Sequence, residues 1–163
     1  MPPVNNVTRM LDAKKIAYKA FETPAEKLGA AETARFLELS PDSVYKTIVV
    51  MRQVKGAKPI LAVIPGPNHV DLKLLAAALG EKKVTLPTEK EAEQLTGLQA
   101  GGISPLALIN KGFQVVIDEA AKALGEIHVS GGQRGLNICL PVDALAKLTN
   151  ARFAVVSAPG EIV

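Results

Sequence analysis

The segment Gly101-Gly102-Ile103-Ser104-Pro105 decides how the rest of the chain is interpreted. Glycine adopts backbone conformations that other residues avoid, and proline fixes φ while removing a backbone donor. A continuous helix or a central strand is therefore excluded, and the sequence predicts a rigid loop whose start has little side-chain cover. In such a loop the backbone N–H groups are open to a ligand or to another part of the chain.

A second glycine pair, in Ser130-Gly131-Gly132, lies between two apolar runs. On the sequence alone, the simplest interpretation of each glycine pair is a turn without further function. The functional alternative is that both loops line one cleft. Other residues suited to the same cleft would favour this alternative.

Length and composition favour a single folded domain over residues 1–163. Hydrophobic residues make up 48% and charged residues 21%, as is typical of globular proteins. Aromatic residues make up only 4%, which predicts an aliphatic core and argues against a nucleic-acid surface built from rows of stacked bases. The net charge of +3 permits a polyanionic partner without requiring one.

The N-terminal residues 1–6 lack the charged start and the apolar centre of a signal peptide. No uninterrupted apolar run is long enough to span a bilayer. The single cysteine excludes an internal disulfide and a multi-cysteine zinc site. We therefore expect a soluble, cytoplasmic protein with no membrane partner, no metal and no other cofactor.

The strongest strand signal is the β-branched run Val44–Met51, which predicts a strand covered on both faces. Asp71 and the capping box Thr88–Glu91 predict two helix starts, with Gly80 and Gly97 just past the helix ends. Hairpin-like strand pairs stand beside strands separated by helices. This mixed order predicts an α+β fold, with a mixed, curved, barrel-like sheet flanked by helices.

Lys46 is the most informative single residue, because nearly every neighbour in its run favours burial. A lysine in that position reaches solvent along the strand surface, pairs with an acid, or meets an anionic ligand at a cavity edge. From its position alone, solvent exposure is the simplest alternative.

Other chemically versatile residues give weaker signals. His69 and His128 lack the spacing to an acid that identifies a proton relay, and Cys139 lies in an apolar run typical of a small core residue. Asp118 follows a predicted buried strand, where ligand binding and helix capping are equally good explanations. Residue chemistry alone therefore predicts an anion-binding cleft without an obvious nucleophile or base.

Three motifs extend this interpretation, and they occur in the segments 44–47, 101–106 and 129–136. Together with Asp71-Leu72-Lys73 and Ala78-Leu79-Gly80, they follow the order expected of the YbaK family. The chain resembles this family from about Val4 to Val156. YbaK proteins are free-standing relatives of the editing domain of bacterial prolyl-tRNA synthetase. The Ser-Gly-Gly-x-Arg-Gly form is most similar to the Cys-tRNA(Pro) deacylase branch.

The resemblance implies an aminoacyl-tRNA deacylase that clears mischarged tRNA in trans, with Cys-tRNA(Pro) as the expected substrate. The implied partners are the 3′ end of tRNA(Pro) and, in a ternary complex, prolyl-tRNA synthetase. In the Cys-specific branch the substrate's own thiol attacks its ester, so that no catalytic triad is needed. The alternatives are an Ala- or Ser-type deacylase that uses water, and a tRNA- or nucleotide-binding module without turnover.

The resemblance also assigns roles to individual residues. Lys46 matches the family's essential side chain, which holds the tRNA 3′ end by its phosphate or ribose. The loop Gly101–Pro105 receives the terminal adenosine and the ester carbonyl through backbone groups, and Ser130 lines the same pocket. The resulting prediction has Lys46 and Gly101 as catalytic residues, and as substrate-binding residues Phe21, Lys46, Thr47, Gly101, Gly102, Ile103, Ser104, Pro105, Ser130 and Gly131.

One segment departs from the Cys-specific pattern. Those relatives place aromatic residues from the segment after the first helix in the pocket, and Phe21 is the expected counterpart of one of them. Lys27-Leu28-Gly29 stands where another aromatic is expected. The choice among Cys, Ala and Ser as substrates therefore stays open at the level of sequence.

Overall fold

The structure is a computed structural model and describes residues 2–161. These residues form five α-helices, which are α1 Asn6–Ala13, α2 Ala30–Leu37, α3 Leu72–Leu79, α4 Glu89–Thr96 and α5 Val142–Thr149. They also form ten strands, which are β1 Lys19–Glu22, β2 Tyr45–Arg52, β3 Ile60–Pro65, β4 Asn68–Val70, β5 Val84–Thr85, β6 Gln114–Asp118, β7 Glu126–Ser130, β8 Leu136–Pro141, β9 Arg152–Ala154 and β10 Ser157–Pro159.

The strands are divided over three sheets. A five-stranded sheet has the order β5-β2-β3-β6-β9, a three-stranded sheet has the order β1-β8-β7, and β10 pairs with β4. In the five-stranded sheet, β2 is antiparallel to β3 and β5, whereas β6 is parallel to β3 and β9. The predicted α+β class with a mixed sheet is confirmed.

Within residues 2–161 the mixed sheet is not closed into a barrel. The five-stranded sheet ends at β5 and β9, and β5 pairs with only two residues of β2, Met51 and Arg52. At the other end of β2, a single bridge from Val44 to His128 connects the strand to β7. Because neither neighbour runs along the rest of β2, the outer edge of this strand stays open between them.

Local sequence explains why the helices begin and end where they do. The Thr88 hydroxyl accepts a hydrogen bond from the Glu91 N–H, and the Glu91 carboxylate accepts one from the Thr88 N–H, so both capping-box bonds are present. Asp71 caps α3 by accepting from the Leu74 N–H. Gly80 and Gly97 end α3 and α4 in the left-handed conformation that glycine favours.

The core lies on both faces of the five-stranded sheet, and all six residues of β3 are buried. One apolar cluster includes α1, α5, β7 and β8, and the other packs α3 against the opposite face. Strand β2 differs from the prediction of burial on both faces, because residues 46–48 are only partly buried.

Asp118 has a structural role at the end of β6. Its carboxylate accepts hydrogen bonds from the N–H groups of Ala120 and Val156, at 3.0 and 3.2 Å, and from the Ser157 hydroxyl at 2.7 Å. The helical turn after β6 and the segment leading into β10 are thereby fastened to one buried side chain. Of the two explanations offered by the sequence, capping describes this residue.

Candidate functional site: a cavity at the open edge of strand β2

A cavity of about 430 Å³ lies where the outer edge of β2 has no neighbouring strand. Its first wall is the edge itself, over residues 44–49. The opposite walls come from loops that are distant in sequence. They consist of Thr23, residues 26–30, Thr33, residues 86–89, Ala92, residues 100 and 101, Ile103, Ser130 and residues 135–137.

Lys46 and Thr47 present chemically different side chains at this edge. Successive side chains of a strand point to opposite faces. Tyr45 and Val49 belong to the α1/α5 cluster, so Thr47 between them lies on that face. Ile48 packs on the α3 side, so Lys46 lies on the opposite face. The Lys46 side chain is 24% exposed, and its Nζ lies 3.8 Å from the Glu161 carboxylate. Lys46 is therefore a cavity-wall cation with a weak, exposed partner, and not a fully solvated strand residue.

The Gly101 loop contributes backbone donors. Gly102 donates its N–H to the Gln99 carbonyl at 2.8 Å, so this group is already used. Within residues 2–161, the N–H groups of Gly101 and Ile103 have no hydrogen-bond acceptor, and both residues line the cavity. An unpaired backbone N–H at a cavity wall can donate to a ligand carbonyl or oxyanion.

The two glycine loops pack directly against each other. A Cβ atom on Gly102 would lie 2.9 Å from the Gln133 Cα, closer than real Cβ contacts. Arg134 donates from Nε to the Ala100 carbonyl at 2.8 Å, and the amide of Asn5 donates to the Gly131 carbonyl at 2.9 Å. These contacts hold the bare backbone of both loops in one place, so the cleft predicted from two glycine pairs is present.

Ser104 and Pro105 support the loop from behind. The Ser104 hydroxyl accepts from the Leu106 N–H at 3.1 Å and caps the 3₁₀ turn Pro105–Leu108. Both residues are buried, and Ser104 has no exposed surface. Ser130 differs, because its hydroxyl accepts from the Gly132 N–H at 3.2 Å and still lines the cavity.

A buried polar pair lies behind the wall formed by β8. His128 donates from Nδ1 to the Asn137 amide oxygen at 2.8 Å, and the Phe21 ring packs 5.4 Å from the imidazole. Asn137 lines the cavity, but Phe21 and His128 do not. The imidazole is therefore a satisfied core group that fixes the orientation of the Asn137 amide.

The structure brings part of the predicted site together on one cavity surface, namely Lys46, Thr47, Gly101, Ile103 and Ser130. The remaining predicted residues lie outside the cavity lining. Gly102 and Gly131 allow close packing, Ser104 and Pro105 support the loop, and Phe21 faces His128. Phe21 lies in β1 directly opposite Asn137 of β8, so the two side chains share one face of this strand pair, and the Phe21 ring packs against His128.

Sequence reasoning missed two other walls. The loop between β1 and α2 passes over Gly101, whose Cβ position lies 3.2 Å from the Lys27 Cα. The Lys27 ammonium pairs with Glu89 at the start of α4, so the two missed walls are joined by an exposed salt bridge. The departure at Lys27-Leu28-Gly29 was the available signal, because it marked a segment where the relatives place pocket residues.

Tyr45 is the one cavity-lining residue with a clearly perturbed titration. Burial, with smaller contributions from Asp118 and Asp42, raises the pKa of its phenol to about 12. The hydroxyl is buried and has no hydrogen-bond partner within residues 2–161. It is therefore neutral at physiological pH and offers no base to the cavity.

Comparison with known proteins decides the family. The model of the aminoacyl-tRNA editing domain matches residues 25–148, which include every wall of the cavity except Thr23. The chain belongs to the aminoacyl-tRNA editing domain family. The YbaK resemblance and the prediction of an aminoacyl-tRNA deacylase are thereby confirmed.

Individual relatives agree with this assignment. EbsC of Enterococcus faecalis, named as a candidate Cys-tRNA(Pro)/Cys-tRNA(Cys) deacylase, is 37% identical over 93% of this chain and 92% of its own length. A proline–tRNA ligase of Kosmotoga olearia is 28% identical over 78% of this chain, which spans only 22% of the ligase. The chain thus matches most of the length of the first relative and one part of the second.

Solved structures share the fold. The hypothetical protein APE2540 superposes with a TM-score of 0.84 at 23% identity, covering 94% of this chain and 100% of its own. A crystal structure described as a candidate trans-editing enzyme for prolyl tRNA synthetase gives a TM-score of 0.77 at 23% identity, covering 96% of this chain and 99% of its own. At these identities the similarity concerns the fold.

Residues 2–161 contain neither a metal-ligand cluster nor a membrane-spanning helix. No group of three or more His, Cys, Asp and Glu side chains in this part of the chain is placed to hold a metal ion. None of its helices has the length and apolar character needed to cross a membrane.

Proposed function

We propose that this protein removes misattached cysteine from tRNA(Pro), acting in trans on the released aminoacyl-tRNA. The observation that carries the proposal is one cavity that combines the Lys46 ammonium with the unpaired N–H groups of Gly101 and Ile103. A lysine ammonium can bind a phosphate or a ribose, and two backbone N–H donors can bind an ester carbonyl oxygen. EbsC, whose name states Cys-tRNA(Pro) and Cys-tRNA(Cys), supports cysteine as the substrate.

Each cavity residue takes one role in this proposal. Lys46 holds the 3′-terminal nucleotide of the tRNA by its phosphate or ribose. The N–H groups of Gly101 and Ile103 donate to the ester carbonyl and stabilise the negative charge that grows on its oxygen. Thr47 and Ser130 add hydroxyl groups on either side of the aminoacyl group.

The side chains of the cavity support attack by the substrate itself. Within residues 2–161 the cavity lining contains no histidine and no cysteine, and of its two carboxylates, Glu26 and Glu89, the second pairs with Lys27. Cys139 is buried, and burial raises its thiol pKa to about 11. The cysteinyl sulfur attacks its own ester carbon, the bond to the ribose oxygen breaks, and that oxygen takes the thiol proton. The products are a cysteine thiolactone and free tRNA, and water then opens the thiolactone to cysteine.

A second candidate is an Ala- or Ser-type deacylase that uses water as the nucleophile. The observation that favours it is the position of Phe21, whose ring lies against His128 and outside the cavity lining. Without that aromatic surface, the cavity has no evident contact that prefers a thiol to a hydroxyl or a methyl group.

The proposal extends to the cellular setting. We place the protein in the cytoplasm, with all 163 residues acting as one editing domain. A net charge of only +3 gives weak attraction for tRNA at physiological salt. A ternary complex with prolyl-tRNA synthetase therefore supplies tRNA identity in this proposal.

The test is release of amino acid from tRNA(Pro) charged in turn with Cys, Ala, Ser and Pro. Selective release of Cys is the expected result, with serine as the control that replaces sulfur by oxygen. Faster release of Ala or Ser favours the second candidate and a water nucleophile. No release of any of the four amino acids, together with salt-sensitive tRNA binding, contradicts both deacylase candidates and supports a binding module without turnover.

A further inference from the structure

The open backbone edge of β2 has no role in the mechanism proposed above. Strand β7 is bridged to this edge only at Val44, and β5 pairs with it only from Met51 onward. Between these two points six consecutive residues, 44–49, line the cavity. Side chains of a strand alternate between the two faces of the sheet, so a cavity on one face would be lined by every second residue only. Because all six residues line this cavity, the backbone edge of the strand forms its wall.

The register identifies which backbone groups face the cavity. Gly66 donates its N–H to the Val44 carbonyl at 2.9 Å, and Lys46 is paired with Ile64 in the same antiparallel register. In an antiparallel pair, hydrogen-bonded and non-hydrogen-bonded positions alternate, so Val44 and Lys46 turn their backbone groups toward β3. The N–H and C=O of Thr47 therefore point away from β3 and into the opening.

No second strand is paired with Thr47 within residues 2–161. Thr47 pairs with Val63 at a non-hydrogen-bonded position, β5 begins only at Met51, and the bridge to β7 is at Val44, so the Thr47 C=O is open to the cavity. A free strand edge binds ligands that carry a donor and an acceptor at the spacing of a peptide backbone. An aminoacyl ester carries such a donor in its α-ammonium group, while its carbonyl accepts from the N–H groups of Gly101 and Ile103 in the proposed function.

We propose that the Thr47 segment of the β2 edge binds the α-ammonium group of the aminoacyl ester through the Thr47 carbonyl oxygen. This inference rests on the proposed function and adds the group of the substrate that this edge selects. It predicts that the protein acts on esters of free α-amino acids and discriminates against esters that lack the amine. Backbone groups make this recognition independent of the amino-acid side chain.

The direct test compares cysteinyl-tRNA(Pro) with 3-mercaptopropionyl-tRNA(Pro), which keeps the thiol and lacks the α-amine. Each enzymatic rate is divided by the uncatalysed rate of the same ester, because the ammonium also activates the ester chemically. Loss of a charge-assisted hydrogen bond predicts a normalised kcat/KM that is about 10- to 100-fold lower for the analogue. Equal normalised values overturn the inference and leave the deacylase function intact. No cleavage of cysteinyl-tRNA(Pro) overturns both.

Two variants locate the effect on the strand edge. Thr47→Pro keeps the backbone carbonyl but places the proline ring beside it in the opening, where the ring blocks the approach of the ammonium. An edge position accepts proline because the outward N–H makes no ladder bond. The preference for the amine is expected to fall to within about 3-fold of unity. Thr47→Val removes only the hydroxyl and keeps the preference.

The ratio of the two substrates is the readout for both variants, so a general loss of activity does not imitate the result. Circular dichroism confirms that each variant is folded before the ratio is measured. If Thr47→Pro proves unfolded, the substrate comparison with the wild type decides alone. A folded Thr47→Pro that keeps the full preference contradicts placement of the amine at this edge.

Discussion

At the scale of single residues, Tyr45 and Lys46 show how neighbours on one strand take opposite roles. Tyr45 is 3% exposed and belongs to the apolar cluster around α1 and α5, whereas Lys46 reaches the cavity wall. The sequence identified Lys46 because an ammonium within an apolar run must reach solvent, an acid or an anionic ligand. It gave no comparable signal for Asn137, because a strand asparagine is ordinary until its pairing with His128 is known.

Tyr45→Phe is expected to stabilise the protein. The hydroxyl of Tyr45 is buried without a partner, so its removal relieves a desolvation penalty of about 1 kcal/mol or more. Urea unfolding at pH 7 measures the change in the free energy of unfolding. Tyr18→Phe is the matched control, because the Tyr18 hydroxyl donates to Asp12 at 2.8 Å and its loss lowers stability slightly. A less stable Tyr45→Phe protein contradicts the unpartnered hydroxyl.

Gly102→Ala is expected to destabilise the protein by about 1–3 kcal/mol, as overpacked sites do. The new methyl group meets the backbone of Gln133 and Arg134 at 2.9 to 3.1 Å, and backbone cannot rotate away. Gly29→Ala is the control, because φ there is −78° and the nearest atom is 3.5 Å away. Thermal melts of both variants check the difference, and equal melting temperatures speak against close packing of the two loops.

At the scale of elements, the sequence predicted what depends on local chemistry. Caps at Asp71 and Thr88 and glycines at 80 and 97 fixed two helices. Strands β4 and β10 were missed, because each is three residues long, and they pair with each other across the whole second half of the chain. The β2 edge was missed for a related reason, since periodicity cannot report which strand stands next to which.

The C-terminal segment is an element whose effect on the site can be measured. Pairing of β10 with β4 brings Glu161 to 3.8 Å from the Lys46 ammonium. This carboxylate competes with a phosphate for the same cation, but exposed ion pairs are weak. Glu161→Gln is therefore expected to lower KM for aminoacyl-tRNA by no more than about 3- to 5-fold, with kcat unchanged.

Steady-state kinetics at two salt concentrations check this prediction. The difference between the wild type and Glu161→Gln should shrink as salt rises, because added ions screen exposed charges. Glu119→Gln is a suitable control, because Glu119 pairs with Lys122 away from the cavity. A higher KM in Glu161→Gln contradicts competition for Lys46.

At the scale of the whole molecule, stability should fall in alkaline solution. Burial raises the pKa of Cys139 from 9.0 to about 11 and that of Tyr45 from 10.0 to about 12. The unfolded chain therefore ionises first, so this stability is complete below pH 9 and is lost as pH rises through 12. Each group contributes a slope of about 1.4 kcal/mol per pH unit while only the unfolded state is ionised.

Denaturant unfolding between pH 8.5 and 11.5 follows this loss. Tyr45→Phe is expected to flatten the decline above pH 10 and to leave the decline between pH 9 and 10 unchanged. Parallel curves for the wild type and Tyr45→Phe above pH 10 are incompatible with a raised phenol pKa in the folded state.

Assembly of the site is also a property of the whole molecule. Segments more than 100 residues apart meet at one cavity, which lies in the gap that β5 and β7 leave on β2. Family motifs identified the Lys46 strand and both glycine loops, and the structure adds the walls at 26–30 and 86–89. Those walls depend on how the chain folds back over Gly101, for which no short motif exists.

The most direct measurement is the single-turnover rate of cysteine release from Cys-tRNA(Pro) by the wild type and by Lys46→Ala. Lys73→Ala serves as the control, because Lys73 is exposed on α3 and lies outside the cavity lining. We predict that Lys46→Ala is folded and slower by about 100-fold or more, as for loss of a positioned electrostatic group, and that Lys73→Ala matches the wild type. A folded Lys46→Ala protein whose rate stays within about 3-fold of the wild type contradicts the proposed site.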